Sequence, residues 1–270
     1  MKAKRKLSQA VQADRYVLYQ ESVQDVETEI DFVQETFQEL RGRPGESLRE
    51  DFCGTANTVC EWIKRGNEHT GYGVDLDPRV LEWGQANNIA GMTPDQQSRV
   101  QLLNENVMTV RTEPVDMVLA MNFSYFLFMD RPTMRAYFEH AREALVEDGI
   151  LFLDAFGGYD APRELEEPRE CEGFTYIWDQ ASFNPINNQM TCYIHFEFDD
   201  GSRQDKAFVY RWRLWSLPEL KELLEEAGFR AVDIYWEGTD PETEEGDGIY
   251  EPAEVGDADA GWICYIVAQR

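Results

Sequence analysis

A doubly wound α/β fold, built on a mostly parallel sheet of seven strands with an antiparallel β meander inserted into it, is what this sequence predicts. Three observations predict it. Strand-like and helix-like segments alternate over residues 47–156 and resume after residue 218. The run at 115–122 is nearly all apolar, as a strand covered on both faces should be. From 174 to 214 the alternation stops, and about three β-rich runs follow one another, separated by turn signals at 184–188 and 199–201.

The elements follow in order. Apolar side chains at Val23, Val26, Ile30, Val33, Phe37 and Leu40 recur at steps of three and four, one stripe of an amphipathic helix over 22–40. Gly42, Pro44 and Gly45 end it, and the first strand follows over 47–53. A helix over 57–65 stops at Gly66, and a short strand follows over 71–76. Pro78 sits at a favourable first helical position for a helix over 79–87. Strands are expected over 100–107 and 115–122, a helix over 133–146 with Gly149 just past it, and a fifth strand over 150–156. In the meander, Ile194, Phe196 and Phe198 alternate with Tyr193, His195 and Glu197, giving a strand with two distinct faces. A helix over 218–227 has Gly228 as its C-cap, and 231–235 and 262–268 are the last two strands. Between those strands, 237–261 holds ten acids and no base and reads as a long surface loop. The expected division is one α/β domain over 1–157 and 214–270, with 158–213 as the inserted subdomain.

Composition narrows the function. With 25 basic and 52 acidic residues the net charge is −27, which disfavours nucleic acid as a partner because phosphate binding needs a basic surface. The basic set is 6 Lys and 19 Arg; many acids with few lysines suggest adaptation to high salt, with a genomic bias toward arginine as the alternative. No run of about 18 apolar residues is present, so no membrane span is expected. Lys2, Lys4, Arg5 and Lys6 have no apolar stretch behind them, unlike a secretory signal. Five scattered cysteines without a C-x-x-C pair read as reduced thiols, and a cytoplasmic location is expected. No ligand spacing for a metal is present.

The stretch over 48–77 carries the chemistry. A strand ends at the small-residue turn Cys53-Gly54-Thr55-Ala56, a helix follows at once, and a second strand ends in acid at Asp75, 21 positions after Gly54. That is a βαβ nucleoside-binding layout: the turn admits a ligand, the helix N-terminus offers free N–H groups, and the distant carboxylate grips ribose hydroxyls. A dinucleotide site needs further glycines for its pyrophosphate, yet Phe52 and Asn57 stand at those positions. Glu50 or Asp51 at the strand end would repel a pyrophosphate and attract an ammonium group. A ligand with one carboxylate, one ammonium and a ribose fits better, and S-adenosylmethionine is such a ligand.

On these residues the chain resembles the class I S-adenosylmethionine-dependent methyltransferases. Their first motif is similar to D/E-x-G-x-G-x-G, matched here at Glu50 and Gly54, with Phe52 and Ala56 where glycines are usual. The resemblance implies that Glu50, Cys53, Gly54 and Thr55 hold the methionine moiety, that Asp75 and Leu76 take the ribose side, and that Asn106 and Val107 take the adenine. It places the fourth-strand motif over 116–122, with Asn122 at its end as a further cofactor-binding residue. It also implies a Rossmann-like methyltransferase fold with S-adenosylmethionine as cofactor.

The acceptor side lies over Asn122, Phe123, Ser124 and Tyr125 and over the end of the fifth strand at Asp154. Small-molecule N-methyltransferases have a loosely similar insertion after that strand. The meander, with Tyr176, Trp178, Tyr193, His195, Tyr210, Arg211 and Arg213, is expected either to cover an amine acceptor or to form a small sheet core or a homo-oligomer interface. Tyr125, Asp154 and His195 are the candidate bases for an acceptor that arrives protonated, His195 having a purely structural role as its alternative; His69 and His140 read as incidental. Two other classes stay open: an NAD-dependent oxidoreductase, which NAD(H) binding would reveal, and a non-catalytic binding module without turnover. The partner is expected to be a small molecule.

Overall fold

The computed structural model describes residues 7–241, 243 and 246–270. In chain order the helices are α1 (Gln9–Gln12), α2 (Arg15–Val23), α3 (Val26–Arg41), α4 (Asn57–Arg65), α5 (Pro78–Asn87), α6 (Pro94–Ser98), α7 (Arg131–Glu143) and α8 (Leu217–Glu226). The first strands are β1 (Ser47–Asp51), β2 (Thr70–Asp75), β3 (Val100–Asn104), β4 (Val115–Ala120) and β5 (Leu145–Gly157). Then come β6 (Leu165–Cys171), β7 (Phe174–Asn184), β8 (Gln189–Glu197), β9 (Arg203–Arg213), β10 (Ala231–Thr239), β11 (Gly246–Pro252) and β12 (Trp262–Gln269). They form two compact units, one of residues 26–159 and 215–270, the other of 160–214 with the N-terminal segment up to residue 25.

The larger unit is the expected doubly wound sheet, in the order β3-β2-β1-β4-β5-β12-β10-β11. The β1, β2, β3, β4 and β5 neighbours run parallel, whereas β12 is antiparallel to both β5 and β10. Every residue of β4 is buried, which is why its sequence lacks alternation. Helix α3 buries Ile30, Val33 and Phe37 against the sheet core of Leu48, Met117, Leu119, Ile150 and Phe152. The order of the parallel strands reverses at β1 and β4, which opens a crevice beyond their carboxyl ends.

The sheet has eight strands rather than seven. The eighth, β11, lies within the segment expected to be a loop and pairs antiparallel with β10. Tyr250 fixes it, packing 4.6 Å from the Tyr265 ring and 6.0 Å from Phe32. A single inward aromatic among ten acids left too little period-two signal for a strand to show in the sequence.

The smaller unit is a four-stranded antiparallel sheet, β6-β7-β8-β9. Its extra strand, β6, reads LEEPREC, is exposed along most of its length and carries Pro168. Proline and charge suit an edge strand that pairs on one side only. The N-terminal segment corrects the expected domain division, because α1 and α2 belong to this unit and not to the larger one. Leu18 joins Phe174, Ile194, Phe196 and Phe198 in its core, with Tyr19 and Val23 packed around them. Backbone N–H groups of Gln9 and Ala10 donate to Asp200 Oδ2 and Ser202 Oγ, and the Gln204 amide donates to the carbonyls of Ala10 and Ala13.

Candidate functional site

Four of the five residues of β1 are buried, and their alternation sorts the charges. Arg49 and Asp51 share one face and pair there, with Nε 2.8 Å from Oδ1 and both side chains fully buried. The Tyr137 hydroxyl donates to Asp51 Oδ2 at 3.0 Å. Glu50 therefore does not pair with Arg49. It points to the opposite face, where its Oε2 accepts the Val59 N–H at 2.9 Å in the first turn of α4. The residue preceding that helix, Ala56, has no side chain with which to cap it, so a carboxyl from the neighbouring strand fills the role. Burial pushes the Glu50 carboxyl up to about 8, the Val59 hydrogen bond offsetting only part of the effect.

The turn between β1 and α4 keeps the backbone path that three glycines would give. Phe52, Gly54 and Ala56 all have left-handed backbones, with φ of 60°, 53° and 60°. Only glycine adopts that region freely, and a residue with a Cβ loses about 1–2 kcal/mol there. Phe52 is held by its ring, which packs 5.7 Å from Tyr137 and 6.0 Å from Phe128. Ala56 is completely buried. At Gly54 the space that a Cβ would occupy is open, with no atom within 4 Å. A ligand can thus lie directly on the backbone at Gly54.

Asp75 ends β2 facing this turn. Its Oδ2 accepts the Gly54 N–H at 3.0 Å and its Oδ1 accepts the Asp77 N–H at 2.8 Å. Desolvation raises its pKa against those hydrogen bonds. Leu76, next in the chain, is 69% exposed, an apolar surface at the carboxyl edge of the sheet. Cys53 and Thr55 are buried: the Cys53 thiol, raised well above its usual range by burial, lies beneath the turn, and the Thr55 carbonyl accepts the Asn88 amide at 2.8 Å.

Three bracing residues escaped the sequence reading. A Cβ at Gly84 would sit 2.4 Å from the Thr55 carbonyl oxygen, so this glycine lets α5 press against the turn. Asn88 ties the end of the same helix to it. The Asn104 amide donates to the carbonyls of Asp75 and Leu76, at 3.1 and 3.0 Å, joining the ends of β2 and β3. A glycine inside a helical pattern was the one available sign of close approach; neither asparagine had any.

Asn106 is exposed beyond β3, and its Oδ1 accepts the Met108 N–H at 2.9 Å, leaving the carbonyl a second lone pair. Val107 is 5% exposed and packs inward.

On the acceptor side, Asn122 and Phe123 follow β4 with successive left-handed backbones, φ 57° and 55°. Their N–H groups donate to Asp154 Oδ2 at 2.7 Å and Oδ1 at 2.8 Å. The Tyr125 hydroxyl donates to the Asp154 carbonyl at 2.7 Å. Burial raises Asp154 to about 7 and lifts Tyr125 well above its usual range.

The three candidate bases are thus not brought together as proton acceptors. Asp154 has both oxygens engaged, and the fully buried Tyr125 hydroxyl is a donor to backbone. His195 belongs to the smaller unit, where it is buried. Its Nε2 lies 3.2 Å from Asp179 Oδ2, and its Nδ1 accepts the Lys206 N–H at 3.0 Å with the mostly exposed Asp205 carboxylate beside it. The structural alternative for His195 fits this placement. Among the described residues no cluster of His, Cys, Asp or Glu forms a metal site, and no helix is long and apolar enough to cross a membrane.

Comparison with known proteins follows the same lines. No protein-family profile matches the chain. Over 216 residues it is 24% identical to a protein of Geobacillus sp. (strain WCH70) named "Putative methyltransferase", covering 77% of this chain and 84% of that protein. Among solved structures, an S-adenosylmethionine-dependent methyltransferase from Clostridium acetobutylicum ATCC 824 superposes with a TM-score of 0.68 at 15% identity, covering 94% of this chain and 96% of the other. CalS10, an amino pentose methyltransferase from Micromonospora echinaspora solved with S-adenosylmethionine, superposes with a TM-score of 0.65 at 15% identity over 99% of both chains. The chain has the fold of the class I S-adenosylmethionine-dependent methyltransferase superfamily.

Proposed function

We propose that this protein is an S-adenosylmethionine-dependent methyltransferase acting on a small molecule, with an amine as the acceptor. The observation that carries the cofactor is the turn at 52–56: three left-handed residues, open space in front of Gly54, and Asp75 aimed at the same turn. These residues fit the cofactor. Glu50 and the Gly54 turn hold the methionine end, Asp75 with Leu76 the ribose side, and Asn106 the adenine. The bound cofactor supplies an activated methyl group on a sulfonium, so the protein needs no nucleophile of its own. What the chain's residues contribute is orientation of the two reactants. With Asp154, Tyr125 and His195 each engaged by other partners, an amine drawn in as its ammonium form loses its proton to solvent before it accepts the methyl group.

Topology argues against the nicotinamide alternative. A dinucleotide-binding sheet runs parallel in the order 3-2-1-4-5-6, whereas here the position beyond β5 is taken by the antiparallel β12. The amine rests on the net charge of −27, which draws cations toward the molecule, and on the likeness in fold to an amino pentose methyltransferase.

Calorimetric titration with S-adenosylmethionine, S-adenosylhomocysteine and NAD(H) tests the cofactor. Binding of the first two and not the third is expected; binding of NAD(H) alone overturns the reading. Release of S-adenosylhomocysteine with a panel of amino sugars and small amines, against matched alcohols and carboxylates, then tests the acceptor.

A further inference from the structure

We propose that Asp154 is a positioning residue of the acceptor side, its carboxylate filling the backbone nest of Asn122 and Phe123 and so fixing the 121–125 segment at the mouth of the crevice. The acceptor part of this inference rests on the methyltransferase reading above; the nest itself does not.

The geometry is specific. Two consecutive residues with side chains hold left-handed backbones, an arrangement that persists only when its surroundings enforce it. Such a pair turns successive N–H groups toward one point, where an anion is stabilised. Asp154 supplies that anion from the adjacent strand, one oxygen per N–H, at 2.7 and 2.8 Å. A further tie runs in the same direction, from the Tyr125 hydroxyl to the Asp154 carbonyl. Ser124 Oγ closes the segment by donating to the Met121 carbonyl at 3.0 Å. The segment begins one residue past β4, whose neighbours in the sheet are β1, with the cofactor turn, and β5, with Asp154. Asn122, Phe123 and Ser124 remain half-buried there, so their conformation shapes what can approach the crevice.

Among the described residues no cation offsets the buried carboxylate. The titratable groups that act on it or feel it are the Tyr125 hydroxyl, Cys264 on β12 and Tyr250 on β11. Burial consequently pushes its pKa up to about 7, and only backbone hydrogen bonds, from Phe123, Asn122 and its own residue, favour the charged form. A protonated carboxyl retains one good acceptor oxygen and loses the symmetric grip, so the segment loosens as pH falls below 7.

The test combines backbone amide NMR with kinetics. In the wild-type protein the Asn122 and Phe123 amide protons should shift together between pH 6 and 8 and exchange slowly above pH 7.5. In Asp154→Asn that titration should vanish, and the two amides should exchange at least tenfold faster. Cofactor Kd should stay within about twofold, while acceptor KM rises at least tenfold and the acidic limb of kcat/KM flattens. Asn122 and Phe123 amides that exchange in the wild-type protein at the rate of unprotected peptide overturn the nest, and this measurement requires no variant to fold. A variant that loses kcat with unchanged KM and unchanged amide exchange overturns the positioning role in favour of proton transfer. If the cofactor does not bind but the amides titrate as stated, the methyltransferase reading fails and the nest stands.

Discussion

At the scale of single residues, the cofactor turn shows how a backbone path survives the loss of the residues that usually permit it. Phe52 and Ala56 are left-handed because the packing around them outweighs a strain of about 1–2 kcal/mol each. Gly54 is different: the space a Cβ would fill is open, so in the protein itself only the left-handed backbone calls for glycine there. Gly54→Ala should therefore cost about 1–2 kcal/mol of stability but lower cofactor affinity at least tenfold, read by thermal unfolding and calorimetry on one preparation. Equal losses in both would show that the space is not a ligand cradle. Glu50 carries a pH prediction. Its folded pKa, about 8, lies above the ordinary 4.5, so its contribution to stability is complete below about pH 4.5 and is lost as pH rises through 8. Glu50→Gln should then be more stable relative to wild type at pH 8 than at pH 5, by denaturant titration. An ammonium beside Glu50 favours its ionised form, so cofactor binding should release close to one proton at pH 7. Calorimetry in buffers of different ionisation enthalpy would detect that proton, and its absence would remove Glu50 from the ammonium.

At the scale of elements, the turn is held from behind by α5. Gly84 allows the contact and Asn88 fastens it. A methyl at Gly84 must displace the Thr55 backbone, so Gly84→Ala should destabilise by about 1–3 kcal/mol, the usual range for overpacking, and weaken cofactor binding although it touches no ligand. Wild-type stability and affinity in this variant would mean that α5 yields without moving the turn. The Arg49–Asp51 pair belongs to this scale as well: a fully buried ion pair on the first strand of the site, completed by the Tyr137 hydroxyl from α7. It anchors the strand end from which the turn departs, on the face opposite Glu50. The elements themselves were legible where they are long and periodic. Helix α4, expected at 57–65, lies at Asn57–Arg65, and β4 is legible from its nearly all-apolar run. β6 and β11 were not, because an edge strand that buries few side chains leaves almost no period-two signal.

At the scale of the whole molecule the dominant fact is charge. A net charge of −27 on 270 residues stores self-repulsion that salt relieves, the Debye length falling from about 10 Å at 0.1 M to about 3 Å at 1 M. Raising NaCl from 0.1 to 2 M should increase the unfolding temperature by several degrees, and a flat or falling curve would remove the physical basis for the high-salt reading. A cationic amine acceptor should also gain in association rate at low salt relative to a neutral one of similar size. The same acidity disfavours a nucleic-acid partner yet says little about the acceptor. Charge spread over the whole chain biases encounter, whereas specificity depends on a few groups at one crevice.

By itself the sequence determined the α/β class, the position of the small-residue turn after the first strand, and the acid at the end of the second strand. Each is a local pattern: periodicity, a small-residue turn, a fixed spacing. Tertiary structure decided what those residues touch. It paired Arg49 with Asp51 and turned Glu50 to the helix, kept Phe52 and Ala56 on a glycine path, and moved the N-terminal helices to the smaller unit. It also engaged Asp154 and Tyr125 with backbone, leaving neither poised to take a proton. The physical reason is range. Helical and strand periods are written within a dozen residues, but a buried carboxylate finds its partner across strands 30 residues apart in the chain, and no local pattern encodes which partner that is.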